Sequence, residues 1–179
     1  DFWASYFDLE GDYGEYKRRI DPVDNYLVRA ADFGGGIRIL RQDLWEMIIT
    51  FIISQQNNIR RIRRIVQLLS ETYGKKCVSG EGKVYYSFPG PEELARATET
   101  DLRACNLGYR SRYIRETVEM VLGGQVNLKA LEGMDYPSAR AELMRLCGVG
   151  GKVADCICLF SLHHLEAFPV DTHIEKVLD

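Results

Sequence analysis

The stretch Leu146-Cys147-Gly148-Val149-Gly150-Gly151-Lys152-Val153-Ala154-Asp155-Cys156 decides how this 179-residue chain is read. Three glycines in four positions separate a helical segment, about Pro137 to Arg145, from the apolar helical segment of Val153, Ala154, Ile157, Leu159 and Phe160. Two helices therefore meet at a hairpin only a few residues long, over roughly 137–162. Glycine allows positive φ and lets an anion approach the backbone without meeting a Cβ. The amides of Gly148, Gly150 and Gly151 would face outward at a helix start, where the dipole favours negative charge. A plain turn between packed helices uses the same residues, so the glycines alone leave both readings open.

Lys152 stands in the first turn of that apolar helix, where the dipole's positive end disfavours a second cation. Partial burial would add to this and favour the free amine. A free amine is a nucleophile for an electron-poor carbon and can form a Schiff base. Cys156, one helical turn further on, shares its face. An exposed solubilising lysine is the plain alternative. Nineteen residues after Lys152 comes Asp171, within Phe168-Pro169-Val170-Asp171-Thr172-His173. Proline fixes the chain just before Thr172-His-Ile-Glu175, which reads as a capping box. Asp171 then lies at a helix mouth, either as a simple helix-terminal carboxylate or as a group that steadies positive charge and relays protons.

Composition bounds the rest. Apolar residues make up 46% and charged residues 27%, the mixture of a globular domain. There are 23 Lys plus Arg against 26 Asp plus Glu, a net charge of −3. That total excludes a generally basic nucleic-acid coat. Its distribution is uneven: residues 1–26 carry a net of −4, whereas 54–76 carry +5 and 102–115 carry +4. A near-neutral sum can therefore hide a basic face of the kind that binds phosphate. The densest apolar run, Met47–Ile53, is far short of a membrane span. No apolar leader-like region opens the sequence. Five cysteines without scaffold spacing fit a reducing compartment.

Helical periodicity runs almost throughout. Asp43 with Glu46 caps an apolar segment to Ile53. After Gln55-Gln56-Asn57-Asn58, Ile59, Ile62, Val66 and Leu69 recur on one face with arginines opposite. Gly74–Gly90 reads as a loop holding a short strand at Val84–Tyr86, and Pro91-Glu92-Glu93 as a helix start. A helix from about Arg110 to Val121 stops at Gly123-Gly124. The fold class is all-α, with helices of about 8 to 15 residues.

These motifs together resemble the helix-hairpin-helix GPD superfamily of base-excision DNA glycosylases, and within it the 8-oxoguanine DNA glycosylase/AP lyases. Tyr6-Phe7-Asp8-Leu9, Leu40-Arg41-Gln42-Asp43, Ser54-Gln-Gln-Asn-Asn-Ile59, Leu107-Gly-Tyr-Arg-Ser-Arg-Tyr113 and Ala154-Asp-Cys-Ile-Cys-Leu159 add to the hairpin and to Pro-Val-Asp-x-His, in the family's order. The resemblance spans essentially the whole chain. It implies a helical glycosylase core, with the family's N-terminal β domain and a later pocket-closing helix outside this sequence. It further implies helical subdomains over about 27–136 and over 1–26 plus 137–179.

It also implies roles. Lys152 would attack C1′ of a nucleotide flipped from damaged double-stranded DNA, with Asp171 steadying the cationic sugar. Cys156 and Pro169 would line the base pocket. Gly148, Val149, Gly150, Gly151 and His173 would hold phosphates. Tyr109 would wedge beside the gap, Arg61 and Arg110 would read the orphaned base, Gln56 would stand at the hole, and Asn57 and Asn58 would contact DNA beside it. Gln56 stands where the eukaryotic type has asparagine, which implies weaker selectivity for cytosine opposite the lesion. No cofactor is required, although such hairpins can hold a cation through carbonyls. The implied protein is a monomer, free of membranes, acting in the cytoplasm and nucleoid of a prokaryote or in the nucleus of a eukaryote. Rival readings are a glycosylase for another oxidised base and a non-catalytic hairpin module that binds duplex DNA.

Overall fold

The computed structural model describes residues 1–178. Its contacts divide the chain into two compact units, Asp1–Gln42 and Asp43–Asp179. That division falls at Gln42, a different partition from the 27–136 grouping read from the sequence.

The first unit holds α1 (Phe2–Tyr6), α2 (Tyr13–Arg18) and α3 (Asn25–Phe33). Each begins on an aspartate, Asp1, Asp12 or Asp24, whose carboxylate accepts from a first-turn amide. Its organising feature is polar. Asp8 is buried, Arg41 donates to its carboxylate at 3.0 Å and Tyr13 Oη donates at 2.9 Å. Arg38 donates to the carbonyls of Asp8 and Gly11, and the Ile39 amide donates to Tyr13 Oη. Two of the family-like segments, around Asp8 and around Arg41, thus meet as one ion pair.

The second unit is built around α4 (Leu44–Ser54). Asp43 accepts from the Glu46 amide at 2.8 Å, as its capping pattern predicts. Ile48, Ile49, Ile52 and Ile53 are wholly buried, because α4 is apolar nearly all round and is covered by α5 (Ile59–Tyr73), α8 (Arg110–Leu122) and α11 (Gly151–Phe160). Between α5 and α8 lie an antiparallel hairpin, β1 (Lys76–Val78) and β2 (Val84–Tyr86), then α6 (Pro91–Leu94) and α7 (Glu99–Ala104). The second strand was legible in the sequence; the first, Lys-Cys-Val, was not. Next come α9 (Leu128–Leu131) and α10 (Tyr136–Leu143), and α12 (Thr172–Leu178) follows α11. The all-α expectation holds apart from this one small ribbon.

Helices α10 and α11 flank the glycine hairpin. Asp155, nearly buried on α11, accepts from Tyr136 Oη at 2.8 Å and from Arg140 Nε at 2.7 Å, both from the α10 side. This clamp fixes the angle at which α11 presents its first turn.

Candidate active site

Helix α11 starts where Gly150 serves as its N-cap, a residue with no side chain to accept the first-turn amides. A Cβ added at Gly150 would meet nothing within 4 Å, so the approach to those amides is open. Gly148 does demand glycine: its φ is +79°, and a Cβ there would lie 2.5 Å from the Tyr113 ring. Its carbonyl accepts from Gln55 Nε2 at 2.7 Å, which ties the hairpin to the segment after α4.

A cleft of about 460 Å³ opens here, lined by Ser54, Gln55 and Gln56 on one wall and by Gly150, Gly151, Lys152 and Val153 on the other. Lys152 is exposed at its mouth, not partly buried as the sequence reading anticipated. Position 152 points outward from α11, whereas Val153 and Ala154 take the core-facing positions. Its ammonium stands 5.8 Å from the Phe51 ring centroid. Cys156 lies beneath Lys152 and is 4% exposed. Burial pushes its thiol pKa up, while the Lys152 ammonium, within hydrogen-bonding reach, partly opposes this. The thiol therefore stays protonated, a wall rather than a competing nucleophile.

Asp171 precedes α12 and caps it. Its Oδ1 accepts from the amides of Ile174 and His173, both at 2.9 Å, in place of the Thr172 cap expected from sequence. The Ile174 amide is the main reason its carboxyl is held below the usual range; burial acts against this, and the His173 amide and nearby His173 and Lys152 add to the lowering. Both amides use Oδ1, and no hydrogen bond reaches Oδ2 among the described residues. Lys152, Cys156 and Asp171 thus come together. His173 is exposed and Pro169 half-buried on the approach to α12.

The opposite wall is set by hydrogen bonds to backbone. Arg110 is 3% exposed, and its guanidinium donates to the carbonyls of Gln55, Gln56 and Leu107. A surface arginine reading a base was expected; here its donors hold the Gln55–Gln56 turn from below. Gln56 is left exposed with φ +46°, uncommon for a residue with a Cβ. Asn57 Nδ2 donates to the Ile53 carbonyl at 2.9 Å, and Asn58 caps α5 by accepting from the Arg61 amide at 3.0 Å. Arg61 is exposed and donates to the Asn106 carbonyl at 3.1 Å. Tyr109, 45% exposed, lies edge-on to Tyr113 at 5.6 Å and beneath the Arg110 guanidinium at 4.5 Å. Arg61, Tyr109 and Arg110 do not line the cleft itself.

Sequence reasoning missed Gln55, Phe51 and Tyr113. Gln55 is one of four consecutive amides, and nothing in that run marks it as the one that reaches Gly148. The glycine at 148 was the available signal for Tyr113, since it announces a close neighbour without naming it. No group of three His, Cys, Asp or Glu side chains among the described residues could hold a metal ion.

Comparison with known proteins places the chain in a family. Residues 49–179 match the family described as HhH-GPD superfamily base excision DNA repair protein. Residues 1–48, helical here, match 8-oxoguanine DNA glycosylase, N-terminal domain. An apo crystal structure of Clostridium acetobutylicum 8-oxoguanine glycosylase/lyase superposes with a TM-score of 0.92 at 43% identity, covering 98% of this chain and 61% of that one. The Saccharomyces cerevisiae N-glycosylase/DNA lyase is 40% identical over 79% of this chain and 41% of its own length. A probable N-glycosylase/DNA lyase of Methanothermobacter thermautotrophicus is 33% identical over 97% of this chain and 61% of its own. The chain thus spans between about two fifths and three fifths of these relatives. With the family matched over most of its length, the chain belongs to the HhH-GPD superfamily of base excision DNA repair proteins.

Proposed function

We propose that this chain is the helical core of a bifunctional DNA glycosylase/AP lyase that excises 8-oxoguanine from duplex DNA. The observation that carries the reading is the open cleft where Lys152 stands at an uncapped helix start, with the Asp171 carboxylate within electrostatic reach. The relatives add to it: one solved neighbour at 42% identity is a glycosylase/lyase in complex with dsDNA containing cytosine opposite 8-oxoG.

In this mechanism the duplex docks its phosphates on the amides of Gly148, Gly150 and Gly151, with His173 beside them, while the Val149 amide stays bound to the Leu146 carbonyl, and the damaged nucleotide rotates out of the stack. Lys152 gives up a proton, and its nitrogen forms a bond to C1′ as the bond from C1′ to the base breaks. The base leaves with the bonding electrons and takes up a proton. Asp171, kept ionised by the α12 amides, faces the positive charge that develops on the sugar. Ring opening gives a Schiff base between Lys152 and C1′. Loss of a C2′ proton then breaks the C3′–O bond, nicking the strand, and water releases the lysine. Cys156 walls the base pocket from below, Pro169 shapes the approach to Asp171, Tyr109 and Gln56 occupy the gap in the duplex, and Arg61 faces the orphaned base. No cofactor enters these steps.

The test is a duplex carrying one 8-oxoguanine opposite cytosine, incubated with the full chain. Free 8-oxoguanine and a nick at that position are expected. A folded protein that binds the duplex but releases neither product would contradict the reading, as would activity confined to oxidised pyrimidines.

A further inference from the structure

Arginines at the surface on α7, on α8 and just after α10, three exposed and Arg115 half-buried, are largely neutralised by their own neighbours. Arg103 pairs with Glu99, Arg112 with Glu116, Arg115 with Glu119 and Arg145 with Glu142, at 2.6–2.9 Å. Helix α5 is different. Arg60, Arg63 and Arg64 are exposed, and none has an ion pair or hydrogen bond among the described residues. The single acid on that face, Glu71, accepts instead from Gln67 at 2.6 Å. The spacing i, i+3, i+4 puts all three on one side, opposite buried Ile65 and Leu69. The stripe extends about 6 Å along the helix axis. It begins two residues beyond Asn58, at the end of the segment whose Gln55 and Gln56 form one wall of the cleft.

Three unneutralised guanidiniums held this closely repel one another, so their positions favour a polyanion. We propose that Arg60, Arg63 and Arg64 form a phosphate-gripping stripe that holds the duplex flanking the lesion, independently of the damaged base. This rests on the DNA-repair reading above and adds to it a lesion-blind anchor outside the cleft. Arginine suits the task because its planar fork meets two phosphate oxygens at once. Hopping and sliding along undamaged duplex would draw on this stripe, whereas the chemical step would not.

The experiment compares the full chain with a triple variant, Arg60→Gln, Arg63→Gln and Arg64→Gln, and with a charge-matched control, Arg103→Gln, Lys129→Gln and Arg145→Gln. Binding to an undamaged duplex is measured between 50 and 200 mM salt. Each lost phosphate contact lowers the slope of log affinity against log salt by about 0.9, so the α5 triple should show a slope smaller by about 2 to 3. Its affinity change across that range should shrink by up to about 40-fold relative to the parent. The control should keep the parental slope, and single-turnover excision at saturating protein and low salt should be unchanged in both variants. Equal slope losses in the two triples, or none in the α5 triple, would overturn the stripe while leaving the glycosylase reading intact. A folded parent that binds no duplex would overturn both.

Discussion

The two walls of the cleft are built by different means. The α11 wall is a rigid helix, buried on its inner side and clamped through Asp155 to Tyr136 and Arg140, with Lys152 mounted on its first turn. The Gln55–Asn58 wall is irregular backbone held by side chains, with Arg110 gripping two successive carbonyls and Gln55 reaching across to Gly148. A reacting group must be held to within fractions of an ångström, which a packed helix supplies. A surface that meets unstacked bases gains from exposed, polar, locally strained residues such as Gln56. In the proposed reaction, chemistry and recognition would thereby sit on supports that can be damaged separately.

The comparison breaks most sharply at Lys152. Lys152→Gln should reduce strand nicking to background while duplex affinity stays within a few-fold, as read by gel assays of both. Asp171→Asn should come next, slowing single-turnover excision by about 10²- to 10⁴-fold. The same carboxyl has a pH signature. Its pKa is depressed in the folded state, so what it contributes to stability is complete above its unfolded value of about 3.9 and is lost as pH falls through the lower folded value. A carbon NMR titration of Asp171 checks this; a midpoint above 3.9 would refute the cap. On the other wall, Arg110→Leu leaves the Gln55 and Gln56 carbonyls without their donor. It should cost about 1–3 kcal/mol in urea unfolding and weaken binding to duplex more than it slows the bound reaction. Gly148→Ala forces a Cβ against Tyr113 at positive φ and should cost a similar ~1–3 kcal/mol. Gln56→Asn should act least, raising the preference for cytosine over adenine opposite the lesion by about tenfold or less, measured as a ratio of excision rates. No change in that ratio would remove Gln56 from opposite-base selection.

Local rules made much of this legible. The Asp43 cap, the apolar α4, the glycine hairpin and the position of Asp171 at a helix mouth all follow from residues within one or two turns of each other. What sequence could not show were bonds made over distance to backbone. Arg110 reaches the Gln55 carbonyl 55 residues away, and a carbonyl carries no residue signature. Its basic, polar neighbourhood, Gly-Tyr-Arg-Ser-Arg, read as surface, yet its guanidinium is enclosed. The α12 cap was misplaced by one residue because Asp171 and Thr172 are both good caps, and only the backbone path after Pro169 decides between them. The exposure of Lys152 was missed for a similar reason: its helix is apolar, but position 152 faces the cleft.

The central claim is that Lys152 is the nucleophile. The most direct measurement is borohydride trapping of the full chain on an 8-oxoguanine:cytosine duplex, followed by mass spectrometry of the cross-linked peptide. A reduced adduct on Lys152, lost in Lys152→Gln and retained in Arg110→Leu, is the predicted result. An adduct on another lysine, or trapping that survives in Lys152→Gln, would contradict the assignment.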